Sequence, residues 1–161
     1  MLLKKRLMIL SSISLLCIGC DQGTKILATA YLPRHEIYSY FHDVFRLGYV
    51  ENVGAFLGLG NTLPDTYRFW LFVVVVGLLL GGLLIYLISS NKQNLSSYVG
   101  LSLVFSGGLS NFYDRATHDG AVVDFLNIGI GSLRTGIFNI ADIAIMLGMV
   151  MVLVVSFRQQ P

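Results

Sequence analysis

The chain has 161 residues, 55% of them apolar and only 12% charged, with a mean hydropathy of +0.71. Soluble domains carry about a quarter charged residues, so this composition excludes an ordinary soluble protein and places the chain in a membrane. A formal net charge of +2, without a basic run interleaved with aromatics, argues against a nucleic-acid partner.

A bilayer core requires about 20 mostly apolar residues per helix. The first candidate span runs from Leu7 to Ala30. Its apolar part ends near Cys20, but Asp21 and Lys25 stand four apart, which puts opposite charges on one face and lowers the cost of prolonging the helix. Cys17 and Cys20 form a C-x-x-C pair with no second pair or nearby histidine, so they read as apolar helix residues rather than a zinc site or disulfide framework. An outer segment from Tyr31 to Arg68 follows. It holds the alternating stretch Phe45-Arg46-Leu47-Gly48-Tyr49, a strand signal, and Asn52-Val53-Gly54-Ala55-Phe56, which alone reads as a turn.

The second span covers Phe69 to Ile88, with Tyr67, Phe69 and Trp70 at its outer end where amphipathic rings prefer the headgroup level. Gly77-x-x-x-Gly81 within it is a helix-contact pattern that serves internal packing as readily as association, and the chain is expected to be a monomer. The third span, Leu95 to Tyr113, is rich in Ser and Gly and so reads as a helix packed among protein neighbours. At its outer end Asn111, Asp114 and Arg115 share one face. They form either an Asp–Arg anchor with Asn111 satisfying backbone groups, or part of a catalytic site. A second outer segment, Asp114 to Gly136, contains Val122-Val123-Asp124-Phe125-Leu126, and Gly129, Gly131 and Gly136 supply bends for its return. The fourth span runs from Ile137 to Phe157 and carries one acid, Asp142.

Positive residues stay on the cytoplasmic side. With four spans, the inner pieces hold Lys4, Lys5, Arg6, Lys92 and Arg158, and none of the nine Asp and Glu residues. The expected architecture is therefore a membrane all-α protein, residues 1–161 forming a single domain. It has four transmembrane helices, both termini cytoplasmic, and a small β-rich layer outside the membrane.

A carboxylate inside a span costs about 2.5–3.5 kcal/mol even on the lenient insertion scale, so Asp142 needs a reason to be there. Asn139 lies three residues before it on the same face. Asp124 sits on a segment that must return to the outer end of the last helix, a topology that brings the two carboxyls together. Two such groups within about 3 Å share one proton near neutral pH. The ionised member then activates a water, while the protonated one donates to the developing oxyanion.

The series Asp21-Gln22-x-Thr24-Lys25, Asn52-x-Gly54-Ala55, Asn111-x-x-Asp114-Arg115, Val122-Val123-Asp124-Phe125 and Phe138-Asn139-x-Ala141-Asp142 resembles the ordered motifs of lipoprotein signal peptidase (signal peptidase II). The resemblance implies an intramembrane aspartic endopeptidase of the bacterial inner membrane. Its substrates would be diacylglyceryl-modified prolipoproteins, cut before the lipidated cysteine near the periplasmic face. Asp124 and Asp142 match the catalytic pair. Asn52, Asn111, Asp114, Arg115 and Asn139 would support the site or contact substrate, and Asp21 and Lys25 would be structurally important beside it. No metal or organic cofactor is implied; membrane lipids are the other partner. Ser110 stands where the family usually has Gly, and Phe56-Leu57-Gly58 replaces the usual Ala-Phe-Ser, which bears on substrate preference more than on chemistry.

Three rival readings follow from the same residues. Lys4-Lys5-Arg6, the apolar stretch to Ile18 and Gly19-Cys20 imitate a lipoprotein signal peptide, which would make the chain itself a lipoprotein acylated at Cys20. A transport or channel protein would line an ion path with Asp21, Asp124 and Asp142, although the inner halves of the spans suggest no polar continuation. A Ser–His protease would use Ser106 and His118. His35, His42 and His118 otherwise read as solvated loop residues that match no H-E-x-x-H pattern.

Overall fold

The computed structural model describes residues 2–55, 59–90 and 93–158. Four long helices run through these residues: α1 (Leu3–Tyr31), α2 (Asp65–Ser89), α3 (Leu95–Thr117) and α4 (Ile140–Arg158). Strands β1 (Ile37–Tyr40) and β2 (Phe45–Asn52) lie between α1 and α2, and β3 (Val122–Ile130) and β4 (Leu133–Arg134) between α3 and α4. The strands form one antiparallel sheet in the order β1-β2-β3-β4. The two outer segments, distant in sequence, thus meet through β2 and β3.

Helices α1, α2 and α4 are long and apolar enough to cross a bilayer, which makes this a multi-pass membrane protein. The third helix has the length, at 23 residues, but Ser, Gly, Asn and Asp leave it less apolar. Its neighbours explain why: α3 packs against α4, α1 and α2, and nine of its residues are buried, against six in α1 and three in α4. A helix enclosed by other helices needs little lipid-facing surface. The molecule is apolar outside and buries many polar groups inside. Leu15, Leu16, Leu78 and Leu79 are exposed, whereas Asp21, Lys25, Ser102, Asn111 and Asp114 are buried. This suits a hydrocarbon surround, where polar groups must find partners within the protein.

Small residues set the α3–α4 contact. A Cβ on Gly148 would lie 2.4 Å from the Gly100 carbonyl oxygen, and one on Gly107 would lie 2.5 Å from that of Ala141, so the two backbones touch. Gly77 meets the Phe112 ring of α3, while Gly81 faces open space; the Gly77 end of that pattern serves packing within the chain. At the end of the bundle away from the sheet, Leu10, Leu87, Tyr98 and Phe105 form an apolar cluster. Arg6 is buried there, its guanidinium 5.5 Å from the centre of the Tyr98 ring and donating to the Leu87 carbonyl.

The inner half of the bundle is less uniformly apolar than the sequence suggests. Ser102 and Ser106 are buried along α3, with Ser106 paired to Ser14 of α1 at 2.9 Å. Each α3 hydroxyl donates to the carbonyl four residues back, at 2.7 Å, so the stripe satisfies itself within the helix.

Four helix boundaries differ by more than one residue from the sequence expectation, one of them the end of α3, which runs on to Thr117 and not Tyr113. The first helix begins at Leu3, ahead of the apolar stretch. The second begins at Asp65, just after Pro64, with Trp70–Val75 wound as a π-helix. The last begins at Ile140 rather than Ile137, because Phe138 exchanges backbone hydrogen bonds with Leu126 of β3 at 2.8 Å. Cys20 lies within the unbroken α1, and Cys17 and Cys20 are both free thiols.

The turn between β1 and β2 is held by side chains of the sheet itself. Phe41, His42 and Asp43 all have positive φ, at 54°, 54° and 69°, so three non-glycine residues occupy the left-handed region between β1 and β2. The Asp43 carboxylate holds this turn by accepting from Ser39, Arg46 and Arg134, and the Arg46 hydrogen bond keeps it well below the ordinary carboxylate range.

Replacing Gly148 with Val is expected to force α3 and α4 apart and to destabilise the protein by about 1–3 kcal/mol or more. Thermal unfolding in detergent should show a lowered midpoint, with Gly81→Ala leaving it unchanged or slightly raised.

Candidate active site

Lys25 on α1 organises the outer end of the bundle. Its ammonium is 2.6 Å from Asp21 Oδ2 and 2.6 Å from Asp114 Oδ2, and it donates to Asn111 Oδ1 at 2.9 Å. The i,i+4 pair with Asp21 is the one that prolongs α1 past Cys20. Gln22, one turn of chain away, donates to Asp114 Oδ1 at 2.8 Å and to Ser110 Oγ at 3.1 Å. The Ser110 hydroxyl donates in turn to Asp21 Oδ2 at 2.7 Å, so the residue replacing the usual glycine has a definite partner. Asp21 Oδ1 in turn accepts the Ala141 N–H at 2.8 Å, covering one orphan donor at the start of α4.

Asp114 is therefore committed to Lys25 and Gln22, which corrects the Asp–Arg anchor. Consecutive helix residues point about 100° apart, so Asp114 and Arg115 face different neighbours. Arg115 donates to the Gly54 carbonyl, and its guanidinium lies 5.5 Å from the centre of the Phe72 ring, in the π-wound turn of α2. It ties the first outer segment and α2 to α3.

The start of α4 shows how Asp142 is held. Asn139 Oδ1 accepts the Asp142 N–H at 3.0 Å, and Asp142 Oδ2 accepts the Asn139 N–H at 3.1 Å. This reciprocal pair is a capping box, with an aspartate in the place of the usual glutamate, and it locks the carboxyl at the positive end of the helix dipole. The other oxygen, Asp142 Oδ1, accepts from Asn111 Nδ2 at 2.9 Å.

Asp124 is carried by β3, opposite Val50 of β2. Asn139 Nδ2 donates to its Oδ1 at 2.6 Å and Asn52 Nδ2 to its Oδ2 at 2.9 Å. Asn52 is fixed in turn, its Oδ1 accepting the Gly54 N–H at 3.0 Å. Asn139 Nδ2 also donates to Asn111 Oδ1 at 3.2 Å, which closes the network between the two carboxyls.

All nine site residues singled out from the sequence thus meet in one hydrogen-bonded cluster. Asp124 and Asp142 face one cavity of about 440 Å³, which Asn52, Asn111, Arg115 and Asn139 also line. Its remaining wall is apolar, including Ile143, Met146 and Leu147 on the lipid-facing side of α4. Burial, reinforced by the Asp142 charge and opposed by the Asn52 and Asn139 hydrogen bonds, pushes the Asp124 carboxyl up to about 6. Two carboxyls on one cavity, one of them raised toward neutral pH, are groups able to do general acid–base chemistry.

A model of the family described as signal peptidase (SPase) II matches residues 13–158. The chain belongs to the signal peptidase II family. It is a membrane protease of a family whose members are of the aspartic type. The lipoprotein signal peptidase of Nitratidesulfovibrio vulgaris (strain DP4) is 37% identical over 139 residues, covering 86% of this chain and 83% of that protein. That of Syntrophus aciditrophicus (strain SB) is 32% identical over 158 residues, 98% of both. Two solved bacterial membrane enzymes share the fold. One has a TM-score of 0.80 and 27% identity, covering 92% of this chain and 87% of the other. The second has 0.77 and 25%, covering 94% of both.

Signal peptidase II motifs left several contributors unmarked. Gln22 lies inside the first motif but carried no assigned role, and Phe72 sits in an apolar run whose composition gives no hint of a cation above it. Ser106 and His118 do not form a pair: Ser106 is satisfied inside the bundle and His118 is exposed at the end of α3. Phe56-Leu57-Gly58 and Lys92 lie outside the described residues.

Lys25→Met should be strongly destabilising, by about 3–5 kcal/mol, because it leaves the buried Asp21 and Asp114 carboxylates facing each other without a cation. The melting midpoint should fall well below that of the parent protein, and Lys25→Arg should restore it only in part, since a planar fork replaces a compact ammonium.

Proposed function

We propose that this chain removes signal peptides from diacylglyceryl-modified prolipoproteins, cleaving before the lipidated cysteine, with Asp124 and Asp142 as the catalytic pair. The observation that carries the reading is that both carboxyls face one cavity and every one of their four oxygens receives an amide donor. With those lone pairs occupied, the shared proton and the attacking water belong on the cavity side.

In the mechanism, the ionised carboxyl takes a proton from water as its oxygen attacks the scissile carbonyl. The protonated carboxyl donates to the oxygen of the developing tetrahedral centre. As the C–N bond breaks, that centre collapses to the new carboxyl terminus of the signal peptide, and a proton passes to the leaving nitrogen of the cysteine. Asn111 and Asn139 orient the two acids; Asn52 fixes Asp124; Arg115 holds the first outer segment over the site. Lys25, Asp21 and Asp114 brace the cluster from behind. The apolar wall formed by Ile143, Met146 and Leu147 suits a substrate that arrives from the lipid carrying acyl chains.

The same reading takes α3 as a fourth span, since it lies side by side with α1, α2 and α4. The chain is then one membrane domain of the bacterial inner membrane, acting as a monomer. By the distribution of Lys and Arg, its termini are cytoplasmic and its sheet and catalytic pair lie toward the periplasm.

Purified protein should cleave a lipid-modified prolipoprotein, and Asp124→Asn and Asp142→Asn should each lower the rate by about 10²–10⁴-fold. Far-UV circular dichroism and the melting midpoint must stay near those of the parent. Full activity in either variant would remove the pair from the mechanism.

The pH profile gives a second check. The raised Asp124 value means that, as the pH falls through about 6, Asp124 takes up a proton beside the Asp142 charge, which forms the singly protonated pair that the mechanism needs. Therefore kcat/KM is expected to fall as the pH is raised through that value, where the general acid loses its proton. A kcat/KM unchanged between about pH 5 and 8 would contradict the assignment.

A further inference from the structure

We infer that the substrate segment around the cleavage point binds as an added β-strand alongside the chain at Ile137, pairing with its backbone N–H and C=O. The inference rests on the function proposed above and deepens it by naming how the peptide is aligned.

After β4 the chain remains extended and keeps contact with β3. Thr135 donates to the Ile128 carbonyl at 2.8 Å, and Leu126 and Phe138 exchange both of their backbone bonds, each at 2.8 Å. In an antiparallel ladder, a residue that exchanges both bonds with its partner turns its N–H and C=O to that side, and its chain neighbour turns them to the other. Phe138 faces β3, so Ile137 faces away. Among the described residues neither the N–H nor the C=O of Ile137 has a hydrogen-bond partner. The strand order ends on this side, so the pair forms a free sheet edge.

Position selects the occupant. Ile137 lines the cavity that holds Asp124 and Asp142, and it lies two residues before Asn139, whose side chain binds one carboxyl and whose backbone N–H binds the other. An extended peptide on this edge would lie across the catalytic pair with its main chain fixed by two hydrogen bonds. Main-chain pairing would fix the register of the peptide across the pair without contacting its side chains. The other outer edge, β1, is separated from Asp124 by β2 and offers no such alignment.

One residue at Ile137 can pair with only one substrate residue, which gives the test its signature. A diacylglyceryl-modified peptide is prepared as a series in which each backbone N–H flanking the scissile bond is replaced singly by an ester oxygen. One position is expected to lose about tenfold in kcat/KM, with its immediate neighbours nearly unaffected. Ile137→Pro, which deletes the enzyme's donor, should raise KM for the all-amide peptide while the melting midpoint is retained. A flat ester series on a peptide that the enzyme cleaves would overturn the strand pairing and leave the function standing. Failure to cleave the all-amide peptide would overturn both.

Discussion

A buried ammonium group can only donate, and the polarity of the whole site follows from that. Lys25 must meet acceptors on every side, so Asn111 presents its carbonyl oxygen to it and its NH2 to Asp142. Asn139 then has one arrangement left, its NH2 toward Asn111 and Asp124 and its carbonyl oxygen toward the Asp142 N–H. Two amides that could each lie either way are set by a cation that touches neither Asp124 nor Asp142. In a water-poor interior a wrongly turned amide would leave a polar group unpaired, at a cost of about 1–3 kcal/mol, so the order is enforced rather than preferred.

That arrangement explains how acidic groups persist at the edge of a hydrocarbon layer. Each charge is met by a fixed donor: Asp21 and Asp114 by Lys25, Asp142 by a capping box and Asn111, Asp124 by two asparagines. The donors come from α1, α3, the start of α4 and the sheet, so the site also serves as the joint that holds this end of the bundle together. Stability and chemistry are coupled there, and mutations in the brace will disturb both. The glycine contacts between α3 and α4 make this possible, because only touching backbones bring Asn111 within reach of Asp142.

Much of this was legible in the chain. The apolar runs located the helices, and the i,i+4 spacing of Asp21 and Lys25 showed why the first one continues through two charges. The alternating stretches at Phe45–Tyr49 and Val122–Leu126 located β2 and β3. The reading failed where a local pattern met a partner from elsewhere. Asp114 and Arg115 sit side by side and look paired, yet each is claimed by a residue remote in sequence: Lys25 and Gly54. The last helix starts three residues later than its apolarity suggests, because β3 takes the backbone of Phe138. The Asn139-x-x-Asp142 spacing carried a capping signal that the apolar run around it obscured.

Composition and spacing by themselves determined that the chain enters a membrane, which stretches become helices, and which polar residues need a purpose inside them. These are local properties, fixed by transfer energies and helical geometry. What only the tertiary structure decided is which polar group answers which: that Lys25 faces Asn111, that Asn139 joins Asp124 to Asp142, and that the edge at Ile137 is left free. A hydrogen bond between residues separated by 86 positions, such as that from Lys25 to Asn111, leaves no periodicity to read, because its partners are chosen by packing and not by spacing.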